Sequence, residues 1–83
     1  MPEEKIGVVT HYFGKAMVAA IDITGELHVG DRIHVHGHTT DFEQQVESMQ
    51  VEHAGVEKAG PGDSVGIKVV EYARVGDIVY KVT

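Results

Sequence analysis

Three histidines at alternate positions, in the run His34-Val35-His36-Gly37-His38, have the clearest capacity for chemistry in this sequence. On a β-strand, residues i and i+2 point the same way with Cα atoms about 7 Å apart. Two imidazoles so placed can share Zn²⁺ or Ni²⁺, with a third ligand from His38, His28 or a nearby carboxylate. His34, His36 and His38 are therefore the candidate metal ligands. The sequence does not itself identify a carboxylate to orient a metal-bound ring. The plainer reading is a row of solvent-facing positions opposite the inward Ile33 and Val35.

His11 and His53 could serve as general bases, but a base needs a nucleophile beside it. The hydroxyls near turns are Thr10, Thr24, Thr39, Thr40, Ser48 and Ser64. Ser64 stands in Gly62-Asp63-Ser64-Val65-Gly66, which matches Gly-x-Ser-x-Gly in letters but opens a predicted strand with no helix after it, not the strand-to-helix turn of a nucleophile elbow. No cysteine is present, which excludes thiolate nucleophiles, thiolate metal sites and disulfides. The carboxylate pairs Asp41/Glu43 and Glu3/Glu4 read as a solvated strand face and a charged terminus. No enzymatic activity and no cofactor are expected. His11-Tyr12-Phe13 is the candidate partner-contact cluster, because exposed aromatic residues favour protein contacts.

The elements that must carry these residues are short. Ten glycines divide 83 residues into segments rich in Val and Ile, the pattern of an all-β domain. No window sustains a 3.6-residue apolar period over three turns, so long helices are not expected. Strands are predicted at 6–12, 16–23, 32–37, 41–50, 64–70 and 78–82, with a seventh near 27–29. Gly14 is expected to turn the first hairpin with positive φ. The second strand is apolar on both faces, so it is expected to be covered twice or to lie under another domain. Phe42 and Val46 are out of phase with Met49 and Val51, which predicts a β-bulge near Glu47-Ser48. A helical turn is possible within 53–59. Gly30-Asp31, Gly62-Asp63 and Gly76-Asp77 each precede a strand. They read as turn chemistry, with glycine supplying the conformation and aspartate accepting a local backbone N–H.

A chain of this length forms one small domain that buries roughly 60–65% of its unfolded surface. That supports one packed core and leaves no room for a deep substrate pocket. Residues 1–5 are expected to form a charged tail and residues 6–83 a single domain. Closing the sheet into a six-stranded barrel would remove aggregation-prone edges.

Thirteen acidic residues against seven basic ones give a formal charge of −6. The cations are scattered singly, so direct nucleic-acid binding is expected to be weak or absent. Protonation of all six histidines would cancel that formal charge. The terminus Met1-Pro2-Glu3-Glu4-Lys5 has no apolar stretch after it of signal-peptide type, and no run is long enough to span a membrane. A cytoplasmic protein is expected.

In order and spacing, the segments resemble the second domain of translational GTPases, the β-barrel that follows the G domain in elongation factor Tu. The resemblance is carried by Ile6-Gly7-Val8-Val9, Met17-Val18-Ala19 and Gly25-Glu-Leu-His-Val-Gly-Asp-Arg-Ile33. It continues through Val46-Glu-Ser-Met-Gln50, Val56-Glu-Lys-Ala-Gly-Pro-Gly-Asp63, Val65-Gly-Ile67 and Val75-Gly-Asp-Ile-Val79. The chain is also similar to small stand-alone elongation-factor-like proteins and to the C-terminal barrel of U32-family peptidases. The resemblance implies a closed six-stranded Greek-key β-barrel. It does not carry GTP binding: the one Gly-Lys pair, Gly14-Lys15, is followed by Ala16, and Val9 stands where a P-loop needs its first glycine.

The function this implies is a non-catalytic binding module docking on a protein or ribonucleoprotein partner. The alternatives are an accessory module acting with a U32-type peptidase or an RNA-modifying enzyme, and a histidine-based metal-binding protein.

Overall fold

The computed structural model describes residues 3–52 and 54–82. Over those residues the chain is all-β, with no helix and so none long and apolar enough to cross a membrane. The strands are β1 (Glu3–Phe13), β2 (Val18–Ile23), β3 (Leu27–His28), β4 (Arg32–His36), β5 (Asp41–Gln45), β6 (Met49–Val51), β7 (Ala54–Val56), β8 (Lys58–Ala59), β9 (Ser64–Lys68) and β10 (Ile78–Val82). Eight form one antiparallel sheet in the order β5-β4-β10-β1-β2-β9-β6-β7, and β3 pairs with β8.

Strict alternation builds β4 and β9. In β4, Ile33 and Val35 are buried while Arg32 and His36 are exposed; in β9, Val65 and Ile67 point inward between the exposed Ser64 and Lys68. Ile6, Val9, Ile21, Leu27, Met49 and Val79 complete the centre of a single core.

Several expectations are corrected. The segment expected to be a charged tail is in β1 from Glu3 onward, where Glu3 faces Val82, Glu4 faces Lys81 and Lys5 faces Tyr80 across β10. The bulges lie in β1, between Lys5 and Gly7 and between Val9 and His11. Near Glu47-Ser48 there is instead a break, with β5 ending at Gln45 and β6 beginning at Met49. The break lets both Val46 and Met49 turn inward. The region around 53–59 holds β7 and β8 with a bend at Glu57 and no helix; His53 lies outside the described residues. In the first hairpin the positive φ belongs to Met17, at 54°, not to Gly14.

The sheet is not closed into a barrel by strand pairing, because β5 and β7 are its two ends. A side chain bridges from β5 to the end of β9. The Gln44 amide donates from Nε2 to Lys68 O at 2.8 Å, and its Oε1 accepts from Val70 N at 2.8 Å. The amide thereby satisfies one acceptor and one donor on the far strand, as a neighbouring backbone would.

The three Gly-Asp pairs form one repeated device. Gly30, Gly62 and Gly76 have φ of 100°, 92° and 95°. In each case the following aspartate accepts from the backbone N–H three residues earlier: Asp31 from His28 at 2.9 Å, Asp63 from Gly60 at 2.9 Å and Asp77 from Arg74 at 2.8 Å. A residue with a Cβ would be strained at the glycine, and the carboxylate occupies an N–H that the tight turn leaves free.

Candidate functional site

The expected metal row lies on the outer face of β4. His34 sits opposite Glu43 of β5 and Tyr80 of β10, and His36 sits opposite Asp41 and Ile78. The His34 and His36 ring centroids are 5.6 Å apart. His38 is exposed on the turn after β4, away from the strand row.

Both nitrogens of His34 are engaged. Nδ1 is 2.7 Å from Glu3 Oε2, and Nε2 is 2.5 Å from Asp41 Oδ1. These carboxylates come from β1 and β5, so one imidazole ties three strands together. The His34 side chain is 17% exposed, whereas that of Asp41 is 71% exposed. The hydrogen bond to Asp41 raises the His34 pKa above its ordinary value; burial opposes this, and Glu3 raises it further. A ring held this way favours its cationic form, and each of its nitrogens already has a carboxylate partner where a metal or a substrate proton would bind. Beside it, Arg32 Nε donates to Glu43 Oε1 at 2.9 Å. Among the described residues, no group of three or more histidine or carboxylate side chains is arranged to hold a metal ion.

The structure splits the candidate contact cluster. His11 and Phe13 share the outer face with ring centroids 4.4 Å apart, and Phe13 is 50% exposed. They stand over Ala20 and Val18, their cross-strand partners on β2. Phe13, Val18, Ala20, Gly66 and Gln50 line an open groove of about 380 Å³. The expected cover over the outer face of β2 is therefore only partial. Tyr12 points the other way, packs against the core and meets Tyr72 at a centroid distance of 4.4 Å.

Four contributors were not singled out by sequence reasoning. Glu3 was placed in a tail, and nothing local marks it as a partner of His34. Gln44 resembles any polar strand residue. Tyr72 and Arg74 lie between the predicted strands 64–70 and 78–82, where no role was assigned; the available signal was two further apolar residues close by, Val70 and Val75.

No established family profile matches the chain. It is 42% identical over 77 residues to an uncharacterized protease of Methanocaldococcus jannaschii, a match covering 92% of this chain and 19% of the protease. It is 40% identical over 78 residues to a collagenase of Porphyromonas gingivalis, covering 92% of this chain and 22% of the collagenase. The chain thus spans about a fifth of the length of these relatives. Its fold matches the crystal structure of the C-terminal domain of a Geobacillus thermoleovorans protein assigned to the U32 peptidases. The TM-score is 0.90 at 22% identity, over 96% of this chain and 93% of that one. The selenomethionine form of that domain matches with a TM-score of 0.87. These similarities support the U32 side of the resemblance and lend no support to its translation-factor side.

Proposed function

We propose that this chain is a non-catalytic accessory domain that works with a U32-type peptidase polypeptide. The observation that carries this reading is the extent of the match. Nearly the whole chain aligns with about a fifth of relatives named protease and collagenase, and its fold is that of a C-terminal domain in the same group. The local chemistry agrees. His34, the most buried imidazole on the β4 row, has both nitrogens committed to carboxylates. Among the described residues, no serine or threonine hydroxyl is hydrogen-bonded to a histidine ring; Thr10 Oγ1, for example, donates to Ala20 O at 3.3 Å. A nucleophile without an adjacent base is weak.

The test is a capture experiment from lysate of the source organism, with nuclease treatment in parallel. The expected result is a U32-type polypeptide retained after nuclease treatment. Recovery of ribosomal particles in its place would reinstate the translation-factor reading.

A further inference from the structure

Large apolar side chains in this domain are mostly buried, but Val70, Tyr72 and Val75 are 63%, 60% and 68% exposed. Single exposed apolar residues are ordinary; three within six positions, with no cover, mark an interaction surface. All three lie in the connection between β9 and β10, residues 69–77. The segment is not a loose loop. Val69 and Ala73 of the same stretch are buried in the core. Its backbone is held at one end by the Gln44 bond to Val70 N, and at the other by Asp77 Oδ2 on Arg74 N and Val9 O on Gly76 N, all at 2.8 Å. An apolar surface fixed before contact loses little ordering entropy when a partner arrives.

The composition is that of an interface centre. Tyr72 packs at a tilt against Tyr12, which rests on the core. The Arg74 guanidinium lies 5.1 Å from the Tyr72 ring centroid. Among the described residues the ion pairs involve Arg32 and histidines, and none involves Arg74. Tyrosine and arginine dominate binding energy where they are desolvated together. Beside them is a recess of about 300 Å³ lined by Thr40, Phe42, Glu71 and Arg74.

We propose that residues 69–77 form the docking surface through which this domain seats on a U32-type polypeptide, against an apolar patch that presents a carboxylate to Arg74. The proposal rests on the accessory-domain reading above. Two observations select this occupant. In the relatives, about four-fifths of the chain lies outside the matched stretch, so a large protein body accompanies a domain of this kind. A single unpaired arginine among apolar residues matches a carboxylate within an apolar protein surface; a phosphate backbone would call for a basic patch, which a chain of net charge −6 with singly scattered cations does not offer.

The experiment compares four baits in quantitative lysate capture: the unaltered chain, Val75→Asp, Arg74→Glu, and His36→Ala as a control on the β4 face. The amount of U32-type polypeptide recovered is expected to fall at least tenfold for the first two variants and to stay unchanged for the control. Melting temperatures establish that each bait is folded, and Arg74→Glu, at an exposed position, keeps the test decisive if Val75→Asp is unstable. Undiminished capture by both folded variants would overturn the docking surface while leaving the accessory role standing. Absence of any U32-type polypeptide from the unaltered bait would remove the accessory role itself. Two further results would overturn the choice of occupant: a dimer of the unaltered chain, seen by sedimentation, that Val75→Asp dissociates, or capture that nuclease abolishes.

Discussion

The β4 face and the β9–β10 connection make opposite use of their side chains. On β4 the reactive groups are consumed internally: Glu3, Asp41 and His34 satisfy one another, and Arg32 pairs with Glu43. On the connection, the apolar side chains of Val70, Tyr72 and Val75 face solvent, although the backbone beneath is held at Val70, Arg74 and Gly76. Chemical capacity in a residue type is therefore a poor guide to availability here. His34 links three strands, and the connection between β9 and β10 is where apolar side chains stay exposed.

Both regions rest on one core, so the largest expected effect is the loss of that core. Val65→Asp places a carboxylate where Val65 is 2% exposed. An unpaired buried charge costs several kcal/mol, against a total of roughly 4–12 kcal/mol for a domain of this length. The variant is expected to be unfolded at 37 °C by circular dichroism. A cooperative melt near that of the parent would show that the alternation in β9 has been read one residue out of register.

Gly37 joins the two regions. A Cβ there would collide with the carboxylate of Asp77, the group that holds Arg74 N at 2.8 Å. Gly37→Ala is expected to cost about 2 kcal/mol, because a partly buried N–H loses its acceptor. Hydrogen exchange at Arg74 should accelerate, while exchange at Val35 in the centre of β4 changes little. Equal acceleration at both would mean that the two regions are one cooperative unit.

Gln44→Ala is expected to cost about 1 kcal/mol, lowering the melting temperature by roughly 4–8 °C, because two hydrogen bonds at a half-exposed seam are lost. Gln44→Glu should recover the acceptor for Val70 N but not the donor for Lys68 O. It is expected to fall between the two. If both variants melt like the parent, the side-chain bridge does not hold β5 to β9.

The strand-rich fold and its turns were legible because their signals are local. Alternation in β4 and β9 follows from the pleat, and each Gly-Asp pair carries its own turn instruction. The ends of the sheet were not legible: closure into a barrel was expected, but β5 and β7 end the strand order, and what reaches from β5 to the end of β9 is a glutamine meeting a backbone 24 residues away. The His34 clasp was not legible for a related reason: Glu3 is 31 residues distant in sequence and reaches the ring only through the β1–β10–β4 register. The exposed apolar turn was misjudged because sequence shows that Val70, Tyr72 and Val75 are apolar but not that Val69 and Ala73 have already taken the inward positions.

The His34 clasp has a defined pH sign. Its pKa in the folded chain is raised, with the Asp41 hydrogen bond the leading cause. A group whose folded pKa exceeds its unfolded value stabilises fully below the unfolded value, about 6.5 for histidine. That stabilisation is lost as pH rises through the folded value. The melting temperature is therefore expected to fall as pH passes upward through that window. His34→Gln should remove that component. An unchanged pH profile in His34→Gln would show that Glu3 and Asp41 do not hold the ring in solution.

His36→Ala is expected to have the smallest effect, within about 0.5 kcal/mol, as for an exposed position without a specific partner. Its ring is exposed and lies 5.6 Å from that of His34 by centroid. This near-silence bears on metal binding. A metal at the β4 row would need a nitrogen of His34, and both are already engaged by carboxylates. Zinc would have to displace one carboxylate and abandon a charge-assisted hydrogen bond, a class worth about 1.5–3 kcal/mol. Tenfold molar zinc is therefore expected to shift the melting temperature of a tag-free protein by less than about 1 °C, a smaller change than a ligand at ten times its Kd would produce. Zinc stabilisation of several degrees that His36→Ala abolishes would show that the carboxylates yield to the metal. The β4 face would then be a ligand site, and its contrast with the exposed turn would no longer hold.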